Sequence, residues 1–182
     1  LPHIALYSRF AEFPRGWIHE FAADLDQQVQ VPVAIDLVGD PGAHAGDLGN
    51  YRYVHVTFHG YVPRFRIPSI LGRADVAVYP YQDSLVTRSK QSVKLLELMA
   101  AGCSVIVSDV GEAPITIGDS GVVIEGVEPS AFAHAARELI GDPNRTQRKS
   151  RLAMQRVADH FSISQLSSRL VDAYERIGVG VA

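Results

Sequence analysis

Six short and mostly unbroken apolar runs recur along the chain: residues 3–8 (HIALYS), 33–39 (VAIDLVG), 53–60 (YVHVTFHG), 75–80 (DVAVYP), 104–109 (SVIVSD) and 121–125 (GVVIE). A strand with one wet face alternates apolar and polar residues, whereas a continuous apolar run suits a strand covered on both faces. The segments between them, 14–28, 64–74, 93–102 and 111–118, read as helical. Strand–helix–strand units in series need right-handed crossovers and therefore a parallel sheet. The pattern predicts an α/β fold, a doubly wound parallel sheet of about six strands with extra C-terminal helices. Those helices are residues 129–141, opened by Pro129 and closed by Gly141, then 142–161, then 162–178 with Ser162 as N-cap. The Gly-, Asp- and Pro-rich segment 39–50 reads as the most mobile loop.

Composition narrows the function classes. A chain of 182 residues with 47% hydrophobic content can bury one sizeable core, so a single domain over residues 1–182 is expected. The net charge of −3 gives no reason to expect nucleic acid or an anionic membrane as partner. The one cysteine, Cys103, reads as a small buried apolar filler, and the lack of a disulfide framework fits a reducing, cytoplasmic setting. No run approaches the roughly 20 apolar residues that span a bilayer, and no signal peptide opens the chain. The start at Leu1 rather than Met reads as a processed product or an excised piece of a longer chain.

The richest chemistry lies in residues 89–109, SKQSVKLLELMAAGCSVIVSD. The apolar set Val93, Leu95, Leu96, Leu98 and Met99 is dense enough for a helix packed between the sheet and another element. Lys90, Lys94 and Glu97 share one face at helical spacing, as a stripe looking into a cleft would. In an open parallel sheet, ligands bind beyond the carboxyl ends of the strands. There the sequence places Ser8, Arg9 and Arg15 after the first strand, His59 to Pro63 after the third, and the polar loop 81–92 after the fourth. Arginine or lysine contacts to phosphate contribute about 1.5–3 kcal/mol each, and a helix beginning near Ser92 adds free amides and a positive dipole end. Two of the three lysines, Lys90 and Lys94, stand at that start, so the edge reads as a diphosphate site. Glu97 has two readings: an i, i+3 ion pair with Lys94, or an acceptor for the two hydroxyls of a ribose. His55 and His59 read as structural histidines, and Asp36, inside an apolar strand, as locally hydrogen-bonded or at an exposed edge. No histidine pair has metal-ligand spacing, and no G-x-G-x-x-G follows the first strand.

These residues resemble the carboxy-terminal half of GT-B glycosyltransferases, in particular the large retaining family 4, often called glycosyl transferases group 1. The most specific match is LLELMAAGCSVIVSDVGEAP (95–114), similar to that family's LLEAMAAGxPVVASDVGGxP. VAIDLVGD (33–40), VTFHGYVP (56–63), LGRADVAVYP (71–80) and the tail from 142 also resemble family segments, so nearly the whole chain is covered. The resemblance implies a Rossmann-like donor domain, half of a GT-B fold, whose N-terminal acceptor domain is absent. It implies that Arg9 and Arg15, the latter one residue further along than the family's lysine, contact the donor diphosphate with the amides of Ser92, Val93 and Lys94. Glu97 would take the ribose, Tyr61 and Val62 would meet the base, and Ser89 and Lys90 would stand near the donor sugar. Ser89 occupies the place of the first glutamate of the family's E-x7-E motif, and QSVKLLE is closer to a subgroup pattern, S-P-x-K-L-x-E.

The function so implied is retaining transfer of a sugar from a UDP-, GDP- or ADP-linked donor, without a metal or other cofactor, to an acceptor held by the missing domain. Any peripheral membrane association would also run through that domain. The chain alone is expected to bind donor weakly and to transfer nothing, and Leu166, Leu170, Val171 and Tyr174 of the closing helix are expected to be partly exposed. The alternatives are a non-catalytic nucleotide-sugar-binding domain and a GT-B nucleotide-sugar epimerase. A flavodoxin-like signalling domain is disfavoured, since no acidic cluster ends the first strand.

Overall fold

A computed structural model describes residues 1–40, 42 and 48–178. The six apolar runs form six strands: β1 (His3–Tyr7), β2 (Val33–Val38), β3 (Val54–Gly60), β4 (Val76–Tyr79), β5 (Ser104–Ser108) and β6 (Val122–Ile124). All neighbours pair in parallel, in the order β3-β2-β1-β4-β5-β6. Every residue of β4 and β5 is buried, which accounts for their unbroken apolar character. Residues 41 and 43–47 of the 39–50 loop lie outside the described residues.

The helices divide between the two faces. On one, α1 (Trp17–Gln28) and α6 (Pro129–Gly141) cover the side chains of Ile4, Leu6, Ile35, Leu37 and Val78. Trp17 anchors this layer. Its ring stacks on Phe21 at 5.2 Å and meets Phe132 edge-on at 5.5 Å, and its Nε1 donates to the Val127 carbonyl at 2.6 Å. On the other face lie α2 (Ile67–Leu71), α4 (Val93–Ala100), α5 (Ala113–Ile117) and α7 (Pro143–His160), packed on Ala5, Ala77, Tyr79, Val105 and Val107. Cys103 is a filler in this second layer, its thiol pushed up to about 12 by burial. The last helix, α8 (Ile163–Arg176), contributes no buried residue, and Leu166, Leu170, Val171 and Tyr174 are exposed as expected. Its N-cap is Ser162, whose hydroxyl accepts from the Gln165 amide.

Three local readings need correction. The loop 81–92 is not wholly irregular. It contains a one-turn helix, α3 (Leu85–Arg88), held by a reciprocal capping box between Ser84 and Thr87, a polar signal easily read as loop. Val93 is not buried with its apolar neighbours; it is 63% exposed because it opens α4 on the side away from the sheet. Asp36 is at no exposed edge. It is 5% exposed on the inner strand β2, where His59 Nε2 lies 2.6 Å from Oδ1, His3 Nδ1 3.4 Å from Oδ2, and Arg73 3.7 Å from Oδ2. The structural reading of His59 therefore holds, whereas His55 is exposed on the edge strand β3.

The entry into β3 depends on a single carboxylate. Asp26, near the end of α1, accepts from the amides of Arg52, Tyr53 and Val54 at 3.1, 2.5 and 2.9 Å. Burial pushes its carboxyl upward, but the three donors outweigh that and hold it below its ordinary value of 3.8. Its stabilising contribution is thus fully present above that ordinary value and is lost as the pH falls through the lower folded value. Asp26→Ala should cost about 1–3 kcal/mol, with the difference from the parent chain shrinking below pH 4. Denaturant titrations at neutral and acid pH check both the size and the sign.

Candidate functional site

The strand order turns between β1 and β4: the chain leaving β1 crosses to the α1 face and the chain leaving β4 to the α4 face. Such a divergence leaves a crevice beyond the carboxyl ends of the two strands. Two adjoining cavities occupy it, of about 270 and 310 Å³, sharing Ser8, Arg9 and Lys94 at their junction. The first extends past Tyr7, Val38, Gly39, Tyr61, Val62 and Ile67, and the second past Glu12, Tyr81, Val86, Lys90, Gln91 and Ser92. A larger cavity of about 710 Å³ lies at the opposite sheet edge, lined by residues preceding β1, β4 and β5 such as Pro2, Asp75 and Gly102. That cavity lies at the amino ends of the strands, and the helix start on its wall, Pro143 and Asn144 of α7, is capped by the Asp142 carboxylate.

The wall at Ser8 is set by backbone approach. Gly39, following β2, has φ +129°, and a Cβ there would lie 2.1 Å from the Ser8 carbonyl oxygen. Only glycine lets the two strand ends close. After Arg9 the chain makes a 3₁₀ turn, Phe10–Glu12, pinned by Phe10 and Phe13, whose rings pack edge-on at 5.3 Å in the core. With both aromatics turned inward, Arg9 and Glu12 reach the cleft. Arg15, one turn later and exposed before Gly16, is not among the cleft-lining residues. The second cation beside Arg9 is instead Lys94, with Lys90 further along.

The opposite wall is the start of α4. Ser92 caps it, its hydroxyl accepting from the Leu95 amide at 3.4 Å while also bonding the buried Tyr79 hydroxyl, which in turn bonds Tyr81. Burial first, then Tyr81, push the Tyr79 phenol up, so this cap stays neutral. With the cap spent on Leu95, the amides of Val93 and Lys94 have no intrahelical acceptor, and both residues line the cleft. Lys94 lies 5.1 Å from the Tyr7 ring centroid rather than in an ion pair with Glu97. Burial first, then Arg9, depress its ammonium against the upward pull of Glu12 and Glu97. Glu97 is half-buried beside Tyr7, whose phenol is pushed up to about 12 by burial and by that carboxylate.

Other expected residues fall as follows. Tyr61, 84% exposed, and half-buried Val62 line the first cavity. Ser89 turns away: it is exposed, and its hydroxyl donates to the Leu85 and Val86 carbonyls at 2.9 and 3.2 Å. Lys90 donates to Glu12 at 2.7 Å and lies 4.9 Å from the Tyr81 ring centroid. Burial acts downward on Lys90, but Glu12 and Tyr81 together outweigh it and the ammonium is raised. Glu12 was not singled out in the sequence; a lone glutamate between two phenylalanines carries no motif, and only the aromatic anchoring brings it to the cleft. Among the described residues no group of three or more His, Cys, Asp or Glu side chains could hold a metal ion, and no helix is long and apolar enough to cross a membrane.

The two cleft lysines therefore differ in chemistry. At pH 8–9 an amine-acylating reagent should label Lys94 faster than Lys90, and Glu12→Gln should narrow the gap. Peptide mapping by mass spectrometry reads the order, and equal rates in the parent chain would contradict the ion pairing described.

Residues 2–142 match the sequence model of the family glycosyl transferases group 1. Over 128 residues the chain is 29% identical to a glycogen synthase of Mycobacterium tuberculosis, covering 68% of this chain and 30% of that protein. It is 23% identical over 184 aligned positions to a D-inositol 3-phosphate glycosyltransferase of Corynebacterium diphtheriae, covering 94% of this chain and 42% of that one. The chain thus spans less than half the length of these relatives. In fold it is similar to a sucrose-phosphate synthase of Thermosynechococcus elongatus (TM-score 0.73, 21% identity, 97% of this chain and 45% of the other). It is similar also to Anabaena HepE in complex with UDP and glucose (TM-score 0.70, 18% identity, 96% and 48%). A third likeness is the C-terminal domain of a group 1 glycosyl transferase from Francisella tularensis (TM-score 0.72, 19% identity, 89% and 87%).

Proposed function

Because the chain belongs to the group 1 glycosyltransferases, we propose that the β1–β4 cleft binds a nucleotide-sugar donor, UDP-, GDP- or ADP-linked, for retaining and metal-independent sugar transfer. The observation that carries this reading is the convergence of Arg9, Lys94 and the free amides of α4 at the junction of two cavities. A diphosphate at that junction would meet two cations and a helix start, while its two substituents extend into separate spaces. The first cavity, with Tyr61 and Val62 on its wall and Glu97 behind Tyr7, suits a nucleoside. The structure of HepE with UDP and glucose supports the same class of ligand.

In this reading the glycosidic C–O bond breaks with charge building on the departing diphosphate. Arg9, Lys94 and the α4 amides are positioned to stabilise that charge without reorganising. The acceptor hydroxyl attacks from the leaving-group face and passes its proton to the departing diphosphate oxygen, which retains the anomeric configuration. The acceptor would be held by a second, N-terminal domain. Apolar side chains around the cleft, including Val86 and Val93, and the apolar side of α8 are exposed in a way that suits cover by such a domain. Any membrane contact would be peripheral and through that domain. This chain alone should therefore bind donor weakly and transfer nothing.

A calorimetric or thermal-shift screen of UDP, GDP and ADP against the 182-residue chain tests the site. One base should bind, and Arg9→Ala or Lys94→Ala should each weaken it about 10- to 100-fold, the equivalent of about 1.5–3 kcal/mol. Binding indifferent to both substitutions refutes the assignment. Ribose recognition is read separately: the parent chain should prefer the ribonucleotide to its 2′-deoxy form by about 5-fold or more, and Glu97→Ala should erase that preference.

A further inference from the structure

We propose that Glu12, acting with Lys90, reads the hydroxyls of the transferred sugar, so that the sugar-facing carboxylate comes from the turn after β1. This rests on the nucleotide-sugar reading above and deepens it. The two cavities meet at Ser8, Arg9 and Lys94, and everything that suits a nucleoside, Tyr61, Val62 and the Tyr7–Glu97 pair, lies on one side of that junction. The group joined to the other end of the diphosphate must then occupy the second cavity. Of its described wall residues beyond the junction, Glu12 and Lys90 are the two that are charged.

They form one unit. Lys90 Nζ is 2.7 Å from Glu12 Oε2, their side chains are 31% and 26% exposed, and the Tyr81 ring supports the ammonium from 4.9 Å. Among the described residues no hydrogen bond engages Glu12 Oε1. A carboxylate only accepts and an ammonium only donates, so the pair offers adjacent sugar hydroxyls a complementary acceptor and donor. The paired charge also keeps Glu12 from repelling the nearby diphosphate. Ser89, where a sugar contact was expected, spends its hydroxyl on its own helix and points away from this wall. Glu12 owes its position to Phe10 and Phe13, which are held in the core on either side of it.

The test compares each nucleoside diphosphate with its sugar-linked form by calorimetry on the 182-residue chain. The pairs are UDP with UDP-glucose, UDP-galactose and UDP-N-acetylglucosamine, GDP with GDP-mannose, and ADP with ADP-glucose. The parent chain should bind at least one sugar-linked form more tightly than its diphosphate. In Glu12→Gln that affinity ratio should fall about 5- to 10-fold, the size of one charge-assisted hydrogen bond, and Glu12→Asp should recover part of it. A merely structural role would weaken both ligands and leave the ratio unchanged, which overturns the proposal. So does a parent chain that binds every diphosphate and its sugar-linked forms alike. If no nucleotide and no inorganic pyrophosphate binds the parent chain, the donor-site reading falls, and this inference with it.

Discussion

The parallel pairing of β1 with β4 is the constraint on which the rest of this molecule depends. The strands are hydrogen-bonded neighbours, Ile4 opposite Val76 and Ala5 opposite Ala77, yet the chain leaves them toward opposite faces. Two helical segments that diverge from adjacent strand ends cannot fill the space between them. The crevice is therefore a property of strand order and crossover hand, and the side chains at its mouth come from whichever residues follow β1 and β4.

Electrostatics in that crevice are built from few groups. Among the described residues Arg9 and Lys94 form no ion pair, and burial first, then Arg9, depress the Lys94 ammonium. Lys90 is matched by Glu12 and is raised instead. Two lysines only four positions apart thus differ in chemistry: burial and Arg9 depress Lys94, whereas Glu12 and Tyr81 raise Lys90. In the proposed donor reading, a diphosphate at the Arg9–Lys94 junction would offset two cations, and the Lys90–Glu12 pair, neutral before anything binds, would face the sugar.

Much of this was legible in the chain. The six continuous apolar runs became six strands within a residue or two, because burial on both faces leaves a pattern that local reading detects. Ser162 was a recognisable cap, since a hydroxyl before an apolar helical period has one obvious use, and a helix start was expected near Ser92, which the structure shows as its cap. The family motif around 95–114 located the helix that carries Lys94 and Glu97. Less legible were the contacts that depend on distant packing. The i, i+3 spacing of Lys94 and Glu97 allowed an ion pair, but Tyr7 from β1 lies under the ammonium instead. Asp36 looked anomalous in an apolar strand until His59 and His3, contributed by β3 and β1, came beside it.

The sequence by itself determined the class of fold, the strand inventory and the position of the helix start that carries Lys94, because each follows from periodicity, capping and chain-local charge. Only the tertiary structure decided which charges share the cleft. Arg15 stays outside it and Glu12 enters, because the burial of Phe10 and Phe13 fixes how the turn after β1 rotates. That rotation is set by the fit of two rings against Trp17 and the sheet, and Trp17 is itself held by Phe132 and the Val127 carbonyl, far along the chain, where no local pattern reaches.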